Sequence, residues 1–222
     1  MQRPVALLAC VALLLTFGVA RGGAQGLAPR VPLLDQLEIV HLDRDLVALG
    51  AAGGDARVRL ELDEQLVWTG TRGLAGAAVT NRRLLLVAAG RGIWQQVRFL
   101  RDEEPSTGAW VGERVVLAYT SRRVLGFSAI GGNVSEYRLG PNEQLEAVEV
   151  AEGVGVALTD RKALGFSSRL GNFSELSLGV RERVESLDVS AELATVTTDR
   201  RLLVFRGTGG VWGDRRRELG GS

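Results

Sequence analysis

An eleven-residue pattern that returns at a near-constant interval constrains this chain more than any other feature. It reads AAVTNRRLLLV at 77–87, LAYTSRRVLGF at 117–127, VALTDRKALGF at 156–166 and TVTTDRRLLVF at 195–205. The threonines fall at Thr80, Thr120, Thr159 and Thr198, spaced 40, 39 and 39 residues apart. Other positions keep that register without gaps. Sixteen residues before the threonines stand Glu64, Glu104, Glu143 and Glu182. Fourteen after stand Trp94, Val134, Phe173 and Trp212, and sixteen after stand Gln96, Glu136, Glu175 and Asp214. Repetition at this period means that one supersecondary unit is copied and that neighbouring copies bury each other's apolar faces. A fifth, shortened copy comes first. Its Asp35-Gln36-Leu37-Glu38 matches Glu143-Gln144-Leu145-Glu146, and Leu46–Leu49 matches Val154–Ala157, leaving it short by about one strand and a turn. The expected repeats run near 35–63, 64–103, 104–142, 143–181 and 182–220.

Each full copy reads as four short strands. Leu145–Val150 alternates apolar and acidic residues, the period of a half-buried strand. Val154–Thr159 is apolar with small residues, Ala163–Ser167 follows a turn at Asp160-Arg161, and Phe173–Leu178 alternates again. Glycine pairs such as Gly131-Gly132 and Gly209-Gly210 separate the third and fourth strands. No amphipathic stretch is long enough for a helix. Four antiparallel strands in about 40 residues, repeated, predict an all-β chain of propeller blades, about five of them. In its layout of second strand, acidic turn and third strand (Val156–Phe166), the copy resembles WD40-type repeats, although no Gly-His or Trp-Asp pair recurs. The resemblance is one of blade layout over residues 35–220 and implies no specific family. Thr198–Leu202 is also similar to a strand-turn-strand element of bacterial PH-like domains, whose unrepeated sheet the 39-residue period contradicts. Arg30–Leu34 is a candidate extra edge strand, and two copies of the chain are an alternative route to a closed ring.

Composition removes several chemistries. The 222 residues include 27 Lys+Arg and 26 Asp+Glu, for a formal charge of +1, with one His and one Cys. One His and one Cys make neither a disulfide nor a His/Cys zinc site, and any Ser-His-Asp arrangement runs through His41. No cofactor is expected. Residues 1–24 read as a signal peptide: Arg3, an apolar run from Val5 to Ala20, then small residues, with cleavage after Ala20 or Ala24. The run is shorter than the roughly 20 residues of a spanning helix. Leu7-Leu8-Ala9-Cys10 resembles a lipoprotein box but has too little apolar length before the cysteine. Cleavage after Ala24 leaves 198 residues (222 − 24), no cysteine, and 25 bases against 26 acids. The expected chain is exported, periplasmic or secreted, with a segment 25–34 ahead of a propeller at 35–222.

The leading surface feature is the repeated basic pair, Arg82-Arg83, Arg122-Arg123, Arg161-Lys162 and Arg200-Arg201. The turn between second and third strands shares a rim with the crossover between blades, so the pairs are expected as a cationic row there. Guanidinium groups suit carboxylate, sulfate or phosphate on a partner. The competing reading is that Glu64, Glu104, Glu143 and Glu182, on the same rim, neutralise the row blade by blade. Candidate ligand-binding residues are Arg82, Arg122, Arg161 and Arg200, with Trp68 and Trp110 as candidate exposed aromatic contacts. The register Trp94/Val134/Phe173/Trp212 and the set Phe127, Phe166 and Phe205 (with Val87) read as inter-blade core. His41 reads as a solvated strand residue. The sequons at Asn133 and Asn172 follow from repetition. No glycine-rich turn precedes a helix, so no phosphate loop is supported, and the balanced charge argues against nucleic acid. These readings point to an exported, non-catalytic binding or scaffold module contacting a protein or an anionic ligand, as a monomer or a ring-completing homo-oligomer. The alternatives are a lectin-like propeller and a glycoside-acting enzyme built on paired carboxylates.

Overall fold

The computed structural model describes residues 35–216, which form nineteen strands and no helix. Blade 1 is β1 (Leu37–Leu42), β2 (Asp45–Gly50) and β3 (Ala56–Arg59). Blade 2 is β4 (Leu66–Arg72), β5 (Ala75–Thr80), β6 (Arg83–Ala88) and β7 (Trp94–Arg98). Blade 3 is β8 (Trp110–Val111), β9 (Val115–Tyr119), β10 (Arg123–Ser128) and β11 (Asn133–Arg138). Blade 4 is β12 (Leu145–Val150), β13 (Val154–Thr159), β14 (Lys162–Ser167) and β15 (Asn172–Ser177). Blade 5 is β16 (Val184–Ser190), β17 (Leu193–Thr198), β18 (Arg201–Arg206) and β19 (Val211–Arg216). Every sheet is an antiparallel meander in chain order. The fold is an all-β propeller of four-stranded blades, with a three-stranded first blade.

Packing between blades explains the residue pattern. In blades 2 and 4 every residue of β5, β6 and β13 is buried, so these strands read as continuous apolar runs without alternation. The outer strands alternate because one face of each reaches water, as in β15 and β19. Phe127, Phe166 and Phe205 are at most 1% exposed and sit between blades. Two glycines make room for them. A Cβ on Gly126 would lie 2.5 Å from the Phe166 ring, and one on Gly165 would lie 2.5 Å from the Phe205 ring. Trp94 and Trp212 join the inter-blade cores, and each indole N–H donates to a carbonyl of the preceding blade, Ala56 at 3.1 Å and Ser174 at 3.0 Å.

The strand missing from blade 1 is the first one. The sequence match paired Asp35–Glu38 with the start of a first strand, Glu143–Glu146. The backbone shows a different register. Ala51 N–H donates to Gln36 O, repeating Ala89 to Leu74, Ala129 to Arg114, Ser168 to Gly153 and Gly207 to Glu192. Leu60 N–H donates to Arg44 O, repeating Phe99 to Arg82, Leu139 to Arg122 and Leu178 to Arg161. Thus β1 and β2 correspond to the second and third strands of later blades, and Asp43-Arg44 is the counterpart of Asn81-Arg82. The mismatch has a physical origin: Leu-Glu-x-Val alternation is common to any half-buried strand and marks no particular place in the blade.

The first and last blades each turn one face outward. In β17 and β18, Thr195, Thr197, Leu202 and Val204 are half-buried, whereas their counterparts Val156, Leu158, Ala163 and Gly165 are buried against the next blade. On blade 1, Leu42 and Leu49 are exposed on the outward face. The described blades therefore form an open array. The expected signal peptide at 1–24, the segment 25–34 with the candidate edge strand Arg30–Leu34, and residues 217–222 lie outside the described residues. Among the described residues, no helix is long and apolar enough to cross a membrane.

Candidate functional site: the basic rim

Each full blade joins a threonine to a crossover glutamate at the turn between its second and third strands, and in blades 2, 3 and 5 an arginine completes the latch. In blade 2 the Thr80 hydroxyl donates to Glu64 Oε1 at 2.8 Å and accepts the backbone N–H groups of Arg82 and Arg83 at 3.1 and 2.9 Å. Arg83 forks onto the same carboxylate, Nε to Oε1 and Nη2 to Oε2, both at 2.8 Å. Its remaining donors reach Gln96 Oε1 and Arg59 O. Glu64 Oε2 also accepts the Glu61 N–H at 2.9 Å. This is a bidentate, fully satisfied pair at side-chain exposures of 6% and 0%. The threonine recurs because one short hydroxyl at a strand end closes the turn and anchors the crossover acid.

Blades 3 and 5 repeat the latch. Arg123 forks onto Glu103 at 2.7 and 2.9 Å and reaches Glu136 at 2.7 Å. Arg201 forks onto Glu182 at 2.8 and 3.0 Å and reaches Asp214 at 3.0 Å. In blade 4 Thr159 donates to Glu143 at 2.7 Å, but Lys162, a point charge without a fork, turns to Glu175 at 2.7 Å and lies over the Tyr137 ring. The register proposed from sequence is corrected at one place. The acid in blade 3 is Glu103, seventeen residues before Thr120, while the Glu104 N–H donates to Ser121 Oγ at 3.1 Å. Its crossover differs in length by one residue, and two adjacent glutamates hid the shift.

Electrostatics follow the geometry. Burial raises the carboxyl pKa of Glu64 and Glu103, but the arginine fork, a backbone N–H and the threonine hydroxyl together hold both below the ordinary range. At Glu182 the Arg201 hydrogen bonds dominate and lower the value from 4.5 to about 2. A carboxylate with a depressed folded-state pKa contributes stability that is full above its unfolded value and lost as pH falls toward the folded one. The melting temperature should therefore be flat from neutral pH down to about 5 and fall between roughly 4.5 and 2. Glu182→Gln should flatten that fall in a pH series of thermal melts; an equally steep fall in the variant would contradict this assignment.

With the second basic residue of each pair occupied, the first is left at the surface. Arg82, Arg122, Arg161 and Arg200 are exposed, one per full blade along one rim, and Arg44, followed by Asp45 instead of a second base, is exposed at the equivalent turn of blade 1 with its Nη2 donating to Leu60 O at 2.9 Å. Their restraint differs from blade to blade. Arg82 is held by Glu61 at 2.8 Å, Arg122 lies 3.6 Å from Asp102, and Arg161 lies 3.5 Å from Asp160 in its own turn. Asp160 and Asp199 also clamp the crossovers, accepting the N–H groups of Gln144 and Arg183 at 3.0 and 3.1 Å. On the rim of blade 3, between the crossovers that enter and leave it, a cleft of about 500 Å³ opens, lined by Arg122, Arg138, Leu100, Glu136, Leu139 and Pro141 among others.

The aromatic candidates are only partly accessible. Trp68 is half-buried and packs into the core between blades 2 and 3. Trp110 is half-buried, stacks on Tyr119 at 5.5 Å between centroids and edges a small cleft with Leu145–Val148. His41 is exposed. Among the described residues, no group of three or more His, Cys, Asp or Glu is placed to hold a metal. Sequence reasoning did not pick out Arg44 or Arg138. Arg44 was hidden by the register error in blade 1. Arg138 had a signal, since Arg98, Arg138 and Arg216 all stand eighteen residues after the threonine of their blade.

No protein-family model and no curated protein matches the chain. Solved structures of similar shape include Prp20p from Saccharomyces cerevisiae, at 8% identity and a TM-score of 0.41, with 78% of this chain aligned to 55% of that one. The WD40 domain of Neurospora crassa Pan2 aligns at 13% identity and a TM-score of 0.31, over 83% of this chain and 63% of that one. The chain thus spans little more than half the length of the first of these. The propeller assignment rests on the five sheets themselves.

Proposed function

We propose that the chain is an exported, non-catalytic binding or scaffold module that holds an anionic partner on its basic rim. The observation that carries this is the division within each basic pair: the second member is engaged inside its blade, by the latch glutamate in blades 2, 3 and 5 and by Glu175 in blade 4, and the first is presented to solvent at the same turn of every full blade. Rigid strands on both sides of a two-residue turn fix the spacing of the exposed guanidinium groups, which suits a partner with several carboxylates. Titration with poly-L-glutamate should show binding that weakens steeply with salt, and neutral oligosaccharides should give none. Salt-independent binding of a neutral glycan would favour the lectin reading and contradict this one.

Export rests on the leader read in residues 1–24. Protein recovered from the periplasm or medium of an expressing bacterium should begin at Arg21 or Gln25, by intact mass. Recovery from the cytoplasm with Met1 retained would contradict it. The open faces of blades 1 and 5 support ring completion by a second copy. Sedimentation at twice the chain mass is the expected result, and a monomer at micromolar concentration would contradict it.

A further inference from the structure

Blade 2 contains an internal template for the ligand of blade 3. On the rim of blade 2 the carboxylate of Glu61 accepts from Arg82 at 2.8 Å and from Arg98 at 2.5 Å. Those two guanidiniums hold the Glu61 carboxyl below the ordinary range, Arg98 first and Arg82 second. Glu61 stands three residues before the latch acid Glu64, and its backbone N–H bonds that acid. The residue three before Glu103, with the same backbone bond, is Leu100. The counterparts of Arg82 and Arg98 in blade 3 are Arg122 and Arg138, by the paired registers Arg83–Arg98 and Arg123–Arg138. Blade 3 therefore keeps both arginines and has an apolar side chain where blade 2 has the acid. The consequence is visible. The site has become the cleft of about 500 Å³, Leu100 is 57% exposed beside it, and Arg138 is among the most exposed arginines, at 84%.

We infer that this cleft binds a carboxylate side chain of an acidic peptide segment, which takes the place that Glu61 occupies in blade 2. Arg122 and Arg138 supply the charge-assisted donors. Arg123 holds Glu103 and Glu136 at 2.7 Å each, and Glu136 also accepts from Arg138 Nε at 3.2 Å, so Arg138 meets the ligand through its Nη groups, on a side chain 84% exposed. Leu100, Leu139 and Pro141 give the cleft an apolar wall, so the preferred segment has an apolar residue next to its acid. In blades 4 and 5 the position of Glu61 is Gly140 and Gly179; blade 4 has Ser177 for Arg138 and so lacks the arginine pair, while blade 5 keeps Arg200 and Arg216 but has no side chain at Gly179 to supply the apolar wall that Leu100 gives blade 3. This inference rests on the rim reading above and narrows it to one site and one chemical group.

The test uses the purified protein and a fluorescein-labelled peptide of alternating glutamate and leucine, read by anisotropy and calorimetry. Leu100→Glu should occupy the cleft from within and weaken binding at least about tenfold, the worth of one lost charge-assisted hydrogen bond, with melting temperature unchanged or raised. Leu100→Gln, of similar size and uncharged, should weaken binding far less than Leu100→Glu, since it trims the apolar wall but leaves the arginine pair open to the peptide. Glu61→Leu should create a further site on blade 2 and raise the stoichiometry by one. Wild-type affinity in Leu100→Glu, unchanged stoichiometry in Glu61→Leu, or no binding of the peptide by the wild type would each overturn the cleft assignment. If Arg161→Glu/Arg200→Glu abolishes peptide binding while Leu100→Glu does not, the rim binds anions but this cleft is not the place. If no rim arginine affects binding, both the cleft and the rim reading fail. The acid must also belong to a peptide: succinate competing as strongly as the peptide, residue for residue of carboxylate, would assign the site to free small carboxylates instead.

Discussion

Replacing Arg83 with methionine should cost about 3–5 kcal/mol of folding stability, while the same change at its neighbour Arg82 should cost less than about 1 kcal/mol. The two residues are adjacent and chemically identical, so the contrast isolates environment. Arg83 faces a Glu64 carboxylate that is fully buried, and removing the guanidinium strands that charge away from water. Arg82 touches Glu61 and Asp63 at the surface, where water replaces the lost contact. Urea denaturation of both single variants measures the difference. Adding Glu64→Gln to Arg83→Met should recover part of the loss, because the stranded charge is then removed as well. Equal costs at the two positions would mean that the buried pair is not what holds the turn.

The second large effect lies between blades 4 and 5. Phe205→Ala should cost about 3–5 kcal/mol, since a fully buried ring would leave a cavity between two sheets that are held apart by their other side chains. The opposite error is as informative. Gly165→Ala would set a methyl group 2.5 Å from the Phe205 ring and should cost about 1–3 kcal/mol by overpacking. Combining Gly165→Ala with Phe205→Leu should cost less than the two separate losses summed, because the smaller side chain yields the space that the methyl group takes. Thermal melts of the three variants complete a double-mutant cycle. Strict additivity would show that glycine is kept at 165 for its backbone and not for the ring that packs over it.

Much of this was legible in the sequence because repetition multiplies weak signals. The strands of blade 4 fall within a residue of the segments read from alternation, and the threonine marks a turn that forms in every full blade. The buried phenylalanines and the tryptophan register were readable for the same reason. What was not readable were choices between equals. Two adjacent basic residues look alike until a strand assigns one to the latch and one to solvent. Two adjacent glutamates, Glu103 and Glu104, likewise differ only in which the crossover turns inward. The short first copy was misaligned because its alternation fits more than one strand of the blade, and only backbone hydrogen bonds separate those alternatives. The cleft on blade 3 was hidden for another reason. Its signal is a departure from the repeat, leucine at 100 where the neighbouring blade has glutamate at 61, and such a departure has meaning only once the register is known.

The central claim is that in blades 3 to 5 the first basic residue of each pair is presented to a partner while the second is engaged within its blade. The variant Arg122→Glu/Arg161→Glu/Arg200→Glu tests it in a single sample, by melting temperature and by titration with poly-L-glutamate. The account predicts a melting temperature close to that of the wild type and loss of binding. A large fall in melting temperature, or binding that survives the reversal, would contradict it.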